Sequence, residues 1–229
     1  MPDPVAPPAS PSESARRSTR GFALRIALAD LYYWTFGIAT APFWIWKLLT
    51  SSRYREGFLR RFGFFVPSRS GTARCVWIHG VSVGEVLAAR DLVKRLRRER
   101  PDVEIVFTVT TRTGFAIARQ TYPDHAVTYF PMDLGFAVRR VFRALRPDLL
   151  ILVELELWPN VLLTAHRLGV PVAVVNGRIT KRSFEGYRLV RWALAPALRP
   201  LSAVLVQTAA YGERLAALGV PRDRLRVTC

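Results

Sequence analysis

The chain has 229 residues, half of them apolar, so it can bury a sizeable core, and global disorder is excluded. It carries 34 Lys and Arg residues against 17 Asp and Glu residues, and this net charge of +17 favours polyanionic partners. Nucleic acid, anionic lipid headgroups, a phosphorylated glycolipid and a merely solvated basic surface all stay open on charge alone. Two cysteines exclude a disulfide scaffold and fit a reducing compartment.

The three histidines, His79, His125 and His166, are too widely separated in sequence to form a metal site with ordinary ligand spacing. We expect each to be a loop or helix-surface histidine. The chain also has no D-x-D motif and no G-x-G-x-x-G after its first predicted strand. We therefore predict neither a metal nor a cofactor.

The first 73 residues divide into three predicted segments. Residues 1–20 are rich in Pro, Ser and Ala and predict a disordered leader. Residues 21–50 contain an uncharged, aromatic-rich stretch, and residues 51–73 are a basic juxtamembrane segment. An apolar stretch followed by arginines predicts a membrane-anchor helix at the cytoplasmic leaflet. The uncharged stretch, Leu31–Trp46, is shorter than the roughly 20 residues of a spanning helix, so a monotopic anchor or a helix packed on the domain stays open.

Short runs rich in Val, Ile and Phe alternate with helical stretches from residue 74 onward. These runs are residues 75–79, 104–109, 126–130, 149–153, 172–176, 203–207 and 224–228. Amphipathic segments such as Val86–Arg98 lie between them. Nearly all-apolar strands separated by helices predict an α/β fold, with a Rossmann-like parallel sheet covered by helices on both faces over residues 74–229.

Polar residues follow almost every predicted strand, at the carboxyl ends where open parallel sheets bind ligands. We predict Glu85 and Glu154 as catalytic residues. The predicted substrate-binding residues are Ser82, Gly84, Thr111, Asp133, Asn176 and Arg178. Together these positions predict a cleft with carboxylates on one side and arginines and hydroxyls elsewhere.

Glu85 has two interpretations. Ser82 and Glu85 have the S-x-x-E spacing of a capping box, in which Glu85 accepts a hydrogen bond from the Ser82 backbone N–H and does no chemistry. Alternatively, Glu85 is a general base in the cleft, with the helix dipole lowering its pKa and burial raising it. Gly80 and Gly84 suit the close approach of a bulky ligand, which favours the second interpretation.

Glu154 and Glu156 lie two residues apart at a strand end. If the extended geometry continues, they share one face, where two close carboxylates raise each other's pKa and suit acid–base work. Alternatively, one of them pairs with Arg178 or caps the helix that begins near Pro159. We favour a catalytic role for Glu154 and not for Glu156.

The order and spacing of these motifs resemble a known family. In chain order they are RYREGFLRRFG, HGVSVGE, TVTTRTG, FPMDL, ELELWPN and NGRITKRS. From about residue 31 to the last residue, the chain closely resembles the Kdo (3-deoxy-D-manno-octulosonic acid) transferases, which build the inner core of lipopolysaccharide. Leu155 and Gly177 depart from the residues usual in that family, without removing a charged group.

The resemblance implies an inverting glycosyltransferase of the two-Rossmann-domain (GT-B) type on the cytoplasmic face of the inner membrane. The implied partners are CMP-Kdo as donor, a lipid A precursor (lipid IVA) as acceptor, and the anionic membrane surface. By motif match, Glu85 would be the general base that deprotonates the acceptor hydroxyl. Glu154 would be the second catalytic glutamate, which helps to stabilise the transition state.

The family continues past the last predicted strand with a donor-binding domain, whereas this sequence ends at Cys229. We therefore expect this chain to be the acceptor-binding half and to be inactive alone. A second hypothesis is a non-catalytic half that only binds anionic glycolipid. A third is a transferase of the same fold that uses a UDP-sugar, against which the SVGE and ELELWPN motifs argue. The fourth, a nucleic-acid binder, is disfavoured because the aromatic residues concentrate in the N-terminal segment.

Overall fold

The computed structural model describes residues 57–67, 69, 71–198 and 201–228, with scattered positions between residues 31 and 50. The predicted leader, most of the predicted anchor helix and residues 51–56 lie outside the described residues. The described positions between residues 31 and 50 are helical. No helix in the described part of the chain is both long enough and apolar enough to cross a membrane, so the anchor helix is not confirmed.

A seven-stranded parallel sheet forms the centre of the protein. Its strands are β1 (Cys75–His79), β2 (Glu104–Val109), β3 (Ala126–Tyr129), β4 (Leu149–Val153), β5 (Val172–Gly177), β6 (Leu201–Val206) and β7 (Leu225–Val227). They lie in the order β3-β2-β1-β4-β5-β6-β7, and each neighbouring pair is parallel. The predicted parallel sheet is confirmed, with strand limits that differ from the predicted ones by at most two residues.

Nine helices between residues 57 and 228 connect the strands or precede them. They are α1 (Phe58–Arg61), α2 (Val83–Ala88), α3 (Arg90–Glu99), α4 (Arg112–Thr121), α5 (Gly135–Leu145), α6 (Pro159–Arg167), α7 (Lys181–Leu189), α8 (Arg191–Leu198) and α9 (Ala209–Leu218). A 3-10 turn at Arg222–Arg224 precedes β7. The single helix predicted over Val86–Arg98 is two helices that meet at Ala89. The apolar stripe continues across this junction, so the periodicity does not reveal it.

Both faces of the sheet are buried, and β1 shows how. Trp77 packs into one apolar cluster, with residues of α5, α6, α8 and α9, while its neighbours Val76 and Ile78 pack into a second cluster with α2, α3 and α4. Successive side chains of a strand point to opposite faces, so a strand covered on both sides needs apolar residues at every position. This requirement explains the uninterrupted apolar runs in the sequence.

The strand order reverses between β1 and β4. The chain runs outward from β1 through β2 to the edge strand β3, and then returns to place β4 on the other side of β1. The loops that leave the carboxyl ends of β1 and β4 therefore turn to opposite faces of the sheet. In open parallel sheets the crevice between two such loops is the usual ligand site.

A buried arginine holds the segment that enters β1. The Arg69 side chain is 3% exposed, and its Nε donates to Oε2 of Glu104 at 2.6 Å. Its other nitrogens donate to the backbone oxygens of Leu145 and Ala73. Arg69 therefore ties the start of β2 and the end of α5 to the chain just before β1.

Arg69→Ala should lower the free energy of unfolding by about 3 kcal/mol, because it leaves a carboxylate and buried carbonyl groups without their donor. Arg95→Ala is the matched control, since Arg95 forms an exposed i,i+4 pair with Glu99. The control should cost at most about 0.5 kcal/mol. Urea unfolding followed by circular dichroism measures both. Equal losses would contradict the anchoring role of Arg69.

Candidate active site

The predicted catalytic residues meet at the strand-order reversal. Glu85 lies in the first turn of α2, after β1, and Glu154 comes directly after the last residue of β4. Since β1 pairs with β4, the two loops leave the same edge of the sheet side by side. The two glutamates are close enough for the negative charge of Glu154 to act on the Glu85 carboxyl.

Two local hydrogen bonds orient the Glu85 carboxylate. Its Oε2 accepts from the backbone N–H of Val81 at 2.7 Å, and its Oε1 accepts from the Ser82 hydroxyl at 2.9 Å. Ser82 is the N-cap residue of α2, but its side chain accepts no hydrogen bond from the helix. The two-way exchange of a capping box is therefore absent. Instead, Ser82 and Val81 both serve to fix the carboxylate of Glu85.

The environment of Glu85 raises the pKa of its carboxyl group. The residue is 9% exposed, and this burial raises the pKa of its carboxyl. The hydrogen bonds from Val81 and Ser82 offset part of the rise, and the charge of Glu154 adds to it. A carboxylate with a raised pKa is a stronger base than an exposed one, which suits proton abstraction from a hydroxyl.

Gly80 makes room for Glu85 itself. A Cβ atom at Gly80 would lie 3.2 Å from the Cβ of Glu85 and 3.5 Å from the ring of Phe107. The absence of a side chain at Gly80 is therefore explained by the packing of the first turn of α2. Gly84 is exposed, and a Cβ there would meet only Oγ of Ser82, at 3.8 Å.

Thr111 connects the loop after β2 to the loop that carries Glu85. It is the N-cap of α4, and its hydroxyl accepts from the N–H of Gly114 at 3.0 Å. The same hydroxyl and the Thr111 N–H both donate to the carbonyl of Val81, at 3.2 and 3.3 Å. A Cβ at Gly114 would lie 2.7 Å from the Thr111 hydroxyl, so glycine is needed for this approach. Thr111 thus supports the Glu85 loop from the side of β2.

Glu154 departs from the extended geometry expected of it. Its φ of 67° is left-handed, so the strand ends at Val153 and the chain turns. The prediction that Glu154 and Glu156 share one face of a continuing strand is therefore wrong. The turn nevertheless keeps them close, since the N–H of Glu156 donates to the carbonyl of Glu154 at 3.2 Å. A left-handed glutamate stores roughly 1 kcal/mol or more of backbone strain, a cost seen most often at functional sites.

Arg178 and Asn176 follow the neighbouring strand, β5. A guanidinium nitrogen of Arg178 lies 3.5 Å from Oε2 of Glu154, so the ion pair considered as an alternative for Glu154 is present. Asn176 is also left-handed, with φ 56°, and its Oδ1 accepts from Nε2 of Gln207 at 2.7 Å. Arg178 is exposed and lies at the mouth of the crevice.

Glu156 is a third carboxyl in the cluster. Burial, and then the negative charge of Glu85, raise its pKa to about 7. The indole N–H of Trp158 lowers that pKa in part, although it approaches the carboxyl without completing a hydrogen bond. The sequence signal for the burial of Glu156 is that both of its neighbours are leucines. Leu155 and Leu157 pack against the core on either side of it.

Asp133 has a structural role in the described contacts. It is buried, and its two carboxylate oxygens accept from the backbone N–H groups of Asn160 and Val161 at 3.1 and 3.0 Å. The Asn160 amide in turn donates to the Asp133 carbonyl at 2.6 Å. Asp133 thereby caps the first turn of α6, a partner that no local spacing in the sequence indicates. We assign it no substrate contact.

His79 corrects another expectation. The sequence predicts a loop or helix-surface position for it, but it is wholly buried at the end of β1, with 3.6 Å between the centroids of its ring and the stacked Phe130 ring. Burial lowers the pKa of His79 to about 3, so the ring is neutral at physiological pH. His166 is exposed as expected. Across the described ranges, no group of three or more His, Cys, Asp or Glu residues could hold a metal ion.

A family model described as 3-deoxy-D-manno-octulosonic-acid transferase (Kdo transferase) matches residues 56–229. The chain belongs to the Kdo transferase family. It is similar to the 3-deoxy-D-manno-octulosonic acid transferase of Haemophilus influenzae, with 34% identity over 78% of this chain and 42% of the relative. The enzyme of the same name from Chlamydia muridarum is 29% identical over 88% of this chain and 47% of the relative. The chain thus spans less than half the length of these curated relatives.

Solved structures share the fold of this Kdo transferase family member at low sequence identity. A UDP-N-acetylglucosamine 2-epimerase superposes with a TM-score of 0.51 and 13% identity, over 69% of this chain and 48% of the epimerase. An Anabaena protein crystallised with UDP-glucose superposes with a TM-score of 0.50 and 15% identity, over 67% of this chain and 43% of that protein. These similarities support the Rossmann-like architecture alone.

Glu156→Gln should stabilise the protein relative to the wild type at pH 8 and not at pH 5. An unfolded glutamate has a pKa of about 4.3, so between that pH and about 7 the folded chain keeps a proton that the unfolded chain releases. The wild type therefore loses stability as the pH rises through this window. Glutamine does not ionise, so the variant keeps its stability there. Urea midpoints at the two pH values measure the difference. Glu185→Gln, at an exposed glutamate of α7, is the control and should show no such pH dependence.

Proposed function

We propose that this chain is the acceptor-binding half of an inverting Kdo transferase, which moves Kdo from CMP-Kdo to a lipid A precursor in lipopolysaccharide core synthesis. The observation that carries the proposal is the Glu85 carboxylate, fixed by Val81 and Ser82 at the strand-order reversal of a chain that the family matches from residue 56. A donor-binding half would contribute CMP-Kdo from the other side of the crevice.

Glu85 acts as the general base in this proposal. The acceptor hydroxyl attacks the anomeric carbon of Kdo, Glu85 takes the hydroxyl proton, and CMP leaves with the electron pair of the broken bond. Attack opposite the leaving group inverts the anomeric centre. Because two hydrogen bonds hold the carboxylate before substrate arrives, little reorientation is needed during proton transfer.

Glu154 and Glu156 have different charge states in this proposal: Glu154 is ionised and Glu156 is protonated. Glu154, oriented by Arg178, places negative charge near the positive charge that develops at the sugar ring. Glu156 has a pKa of about 7 and so holds a proton through much of the neutral range. This proton limits the repulsion on Glu85, whose ionised form the mechanism needs. Neighbouring carboxyls with different environments commonly divide acid and base roles in this way.

The acceptor contacts of the proposal lie around this cluster. Arg178, and Lys181 and Arg182 in the first turn of α7, are exposed cations that suit the phosphate groups of a lipid A precursor. Gly84 and Asn176 remain proposed substrate contacts beside them. CMP-Kdo specificity and the choice of lipid IVA rest on the family resemblance.

We also propose that the protein works at the cytoplasmic face of the inner membrane. An exposed apolar patch at the carboxyl edge of the sheet supports this proposal, and it consists of Leu59, Phe64 and Phe65. The guanidinium of Arg140, on α5, lies 4.3 Å from the Phe64 ring. Further exposed cations are Arg60, next to Leu59 in sequence, and Arg139 and Arg143, on the same helix as Arg140. None of these four arginines forms an ion pair within the described residues. Apolar side chains rimmed by unpaired cations fit an anionic lipid surface.

Glu85→Gln should reduce the rate of Kdo transfer by about 10²- to 10⁴-fold in the full product of the gene, because the amide cannot accept the proton. Transfer is measured from CMP-Kdo to lipid IVA by mass spectrometry, with Glu185→Gln as the control for a lost surface charge. Unchanged turnover, or loss of folding alone, would mean that Glu85 has only a structural role at the start of α2. Lipid IVA binding without any turnover by the wild type would favour the non-catalytic alternative.

A spin label at Phe65→Cys should enter the bilayer when vesicles of phosphatidylcholine with phosphatidylglycerol are added. Leu189→Cys is the control, because Leu189 on α7 is 78% exposed and Phe65 is 75% exposed. Both are made with Cys229→Ser, and Cys75 is buried. Power saturation with oxygen and with a water-soluble nickel complex gives the depth of each label. A label at position 65 that stays as accessible to the nickel complex as the label at position 189 would contradict contact between this patch and the membrane.

A further inference from the structure

Arg61, the last residue of α1, is held in place by contacts at the carboxyl edge of the sheet. Its guanidinium donates to the carbonyl of Thr110, after β2, and lies 5.1 Å from the centroid of the Tyr129 ring, in β3. Its own carbonyl accepts from the N–H of Met132 at 2.7 Å. Arg61 therefore bridges the ends of two adjacent strands that the chain reaches much later.

The N-terminal side of α1 fits closely against the same ring. Gly57 has φ 73°, and a Cβ there would overlap the Tyr129 ring at 2.2 Å. Phe62, just after α1, stacks on Phe136 of α5 with 6.1 Å between ring centroids. These contacts leave α1 one position on the domain, so the direction of the Arg61 side chain is fixed by packing.

A continuous path of hydrogen bonds and peptide units leads from Arg61 to the Glu85 carboxylate. Arg61 donates to the carbonyl of Thr110, and the next residue, Thr111, donates twice to the carbonyl of Val81. The N–H of Val81 in turn donates to Oε2 of Glu85 at 2.7 Å. The path thus runs from α1 to the loop after β2, and from there to the loop after β1.

We propose that Arg61 is a positioning residue for Glu85: by holding the Thr110–Thr111 loop, it sets the place of Val81 and so the orientation of the base. This inference rests on the function proposed for Glu85. Through this path, α1 becomes part of the support of the site, although α1 lies beside β3 and Glu85 follows β1.

The half-buried position of Arg61 is better explained by this role than by packing alone. Burial lowers the pKa of Arg61, so the charged group is placed there against a desolvation cost. Within the described residues no carboxylate lies at ion-pair distance from it to offset that cost. Its described partners are a loop carbonyl and an aromatic face, which a planar guanidinium satisfies together and an aliphatic side chain of similar size does not.

The expected effect on Glu85 has a definite sign. The N–H of Val81 stabilises the ionised carboxylate and so lowers its pKa. If the supporting loop relaxes, this hydrogen bond weakens and the pKa of Glu85 rises. The other charged groups around Glu85 are Glu154 and Glu156, together with Arg178, which pairs with Glu154, and the exposed Arg112 at the start of α4. None of them is altered in the test.

The test is a titration of Glu85 by carbon NMR in the full chain, labelled at the glutamate carboxyl carbons. The resonance is assigned by its absence from Glu85→Gln. Arg61→Ala and Arg61→Lys should each raise the pKa of Glu85 by about half a pH unit or more. Arg60→Ala is the matched control, because Arg60 precedes Arg61 in the same helix, carries the same charge and is exposed. It should leave the titration unchanged.

An unchanged titration in Arg61→Ala, or an equal shift in Arg60→Ala, would overturn the proposal. A wild-type titration in Arg61→Lys would also overturn it, since charge alone would then suffice. If Arg61→Ala does not fold, Thr111→Val and Thr111→Ser decide the question at the next step of the path. Only the valine variant, which lacks the hydroxyl, should raise the pKa of Glu85. The titration requires neither CMP-Kdo nor a lipid substrate, so its outcome does not depend on the proposed transferase function.

Discussion

The parallel pairing of β1 with β4 sets the geometry on which the candidate site depends. Two adjacent strands that run the same way must end at the same edge, and the reversal of strand order sends their loops to opposite faces of the sheet. Glu85 and Glu154 are brought together by this arrangement, although 68 residues separate them in sequence. The apolar layers on both faces of the sheet hold the two strands in place, since the side chains of each strand pack into both clusters.

The charge of the site contrasts with the charge of the whole protein. The chain carries a net charge of +17, yet its crevice contains three neighbouring carboxyls. In the function we propose, a basic surface attracts a phosphorylated, membrane-bound ligand over a distance, whereas proton abstraction at a sugar hydroxyl requires local negative charge. Arg178 lies between the basic surface and the acidic crevice, because it is exposed to solvent and paired with Glu154.

The sequence indicates the sheet well because burial on both faces leaves a local signature, an apolar residue at every strand position. The limits of β1, β2 and β4 follow directly from that signature. It also indicates Glu85, since a polar residue after a buried strand must lie at the carboxyl edge. This much requires no knowledge of which strands are neighbours.

Features that depend on distant contacts could not be predicted in this way. The burial of His79 depends on Phe130, and the role of Asp133 depends on the start of α6, 27 residues later. Likewise, the sequence does not distinguish Arg61 from the surface arginines, because its partner, the carbonyl of Thr110, lies far along the chain. The turn at Glu154 is invisible because glutamate gives no sign of a left-handed backbone. For His79, Asp133 and Arg61 the missing information is the identity of a distant partner, and for Glu154 it is a backbone conformation that glutamate rarely adopts.

The left-handed backbone at Glu154 has an evolutionary consequence. The residues best suited to that conformation are glycine and asparagine, whereas the chemistry proposed for the position needs a carboxylate. A lineage released from selection for transfer would therefore be free to relax the strain at this position and gain stability as activity disappeared. Retention of glutamate at position 154 among relatives would thus record selection for catalysis in competition with selection for folding.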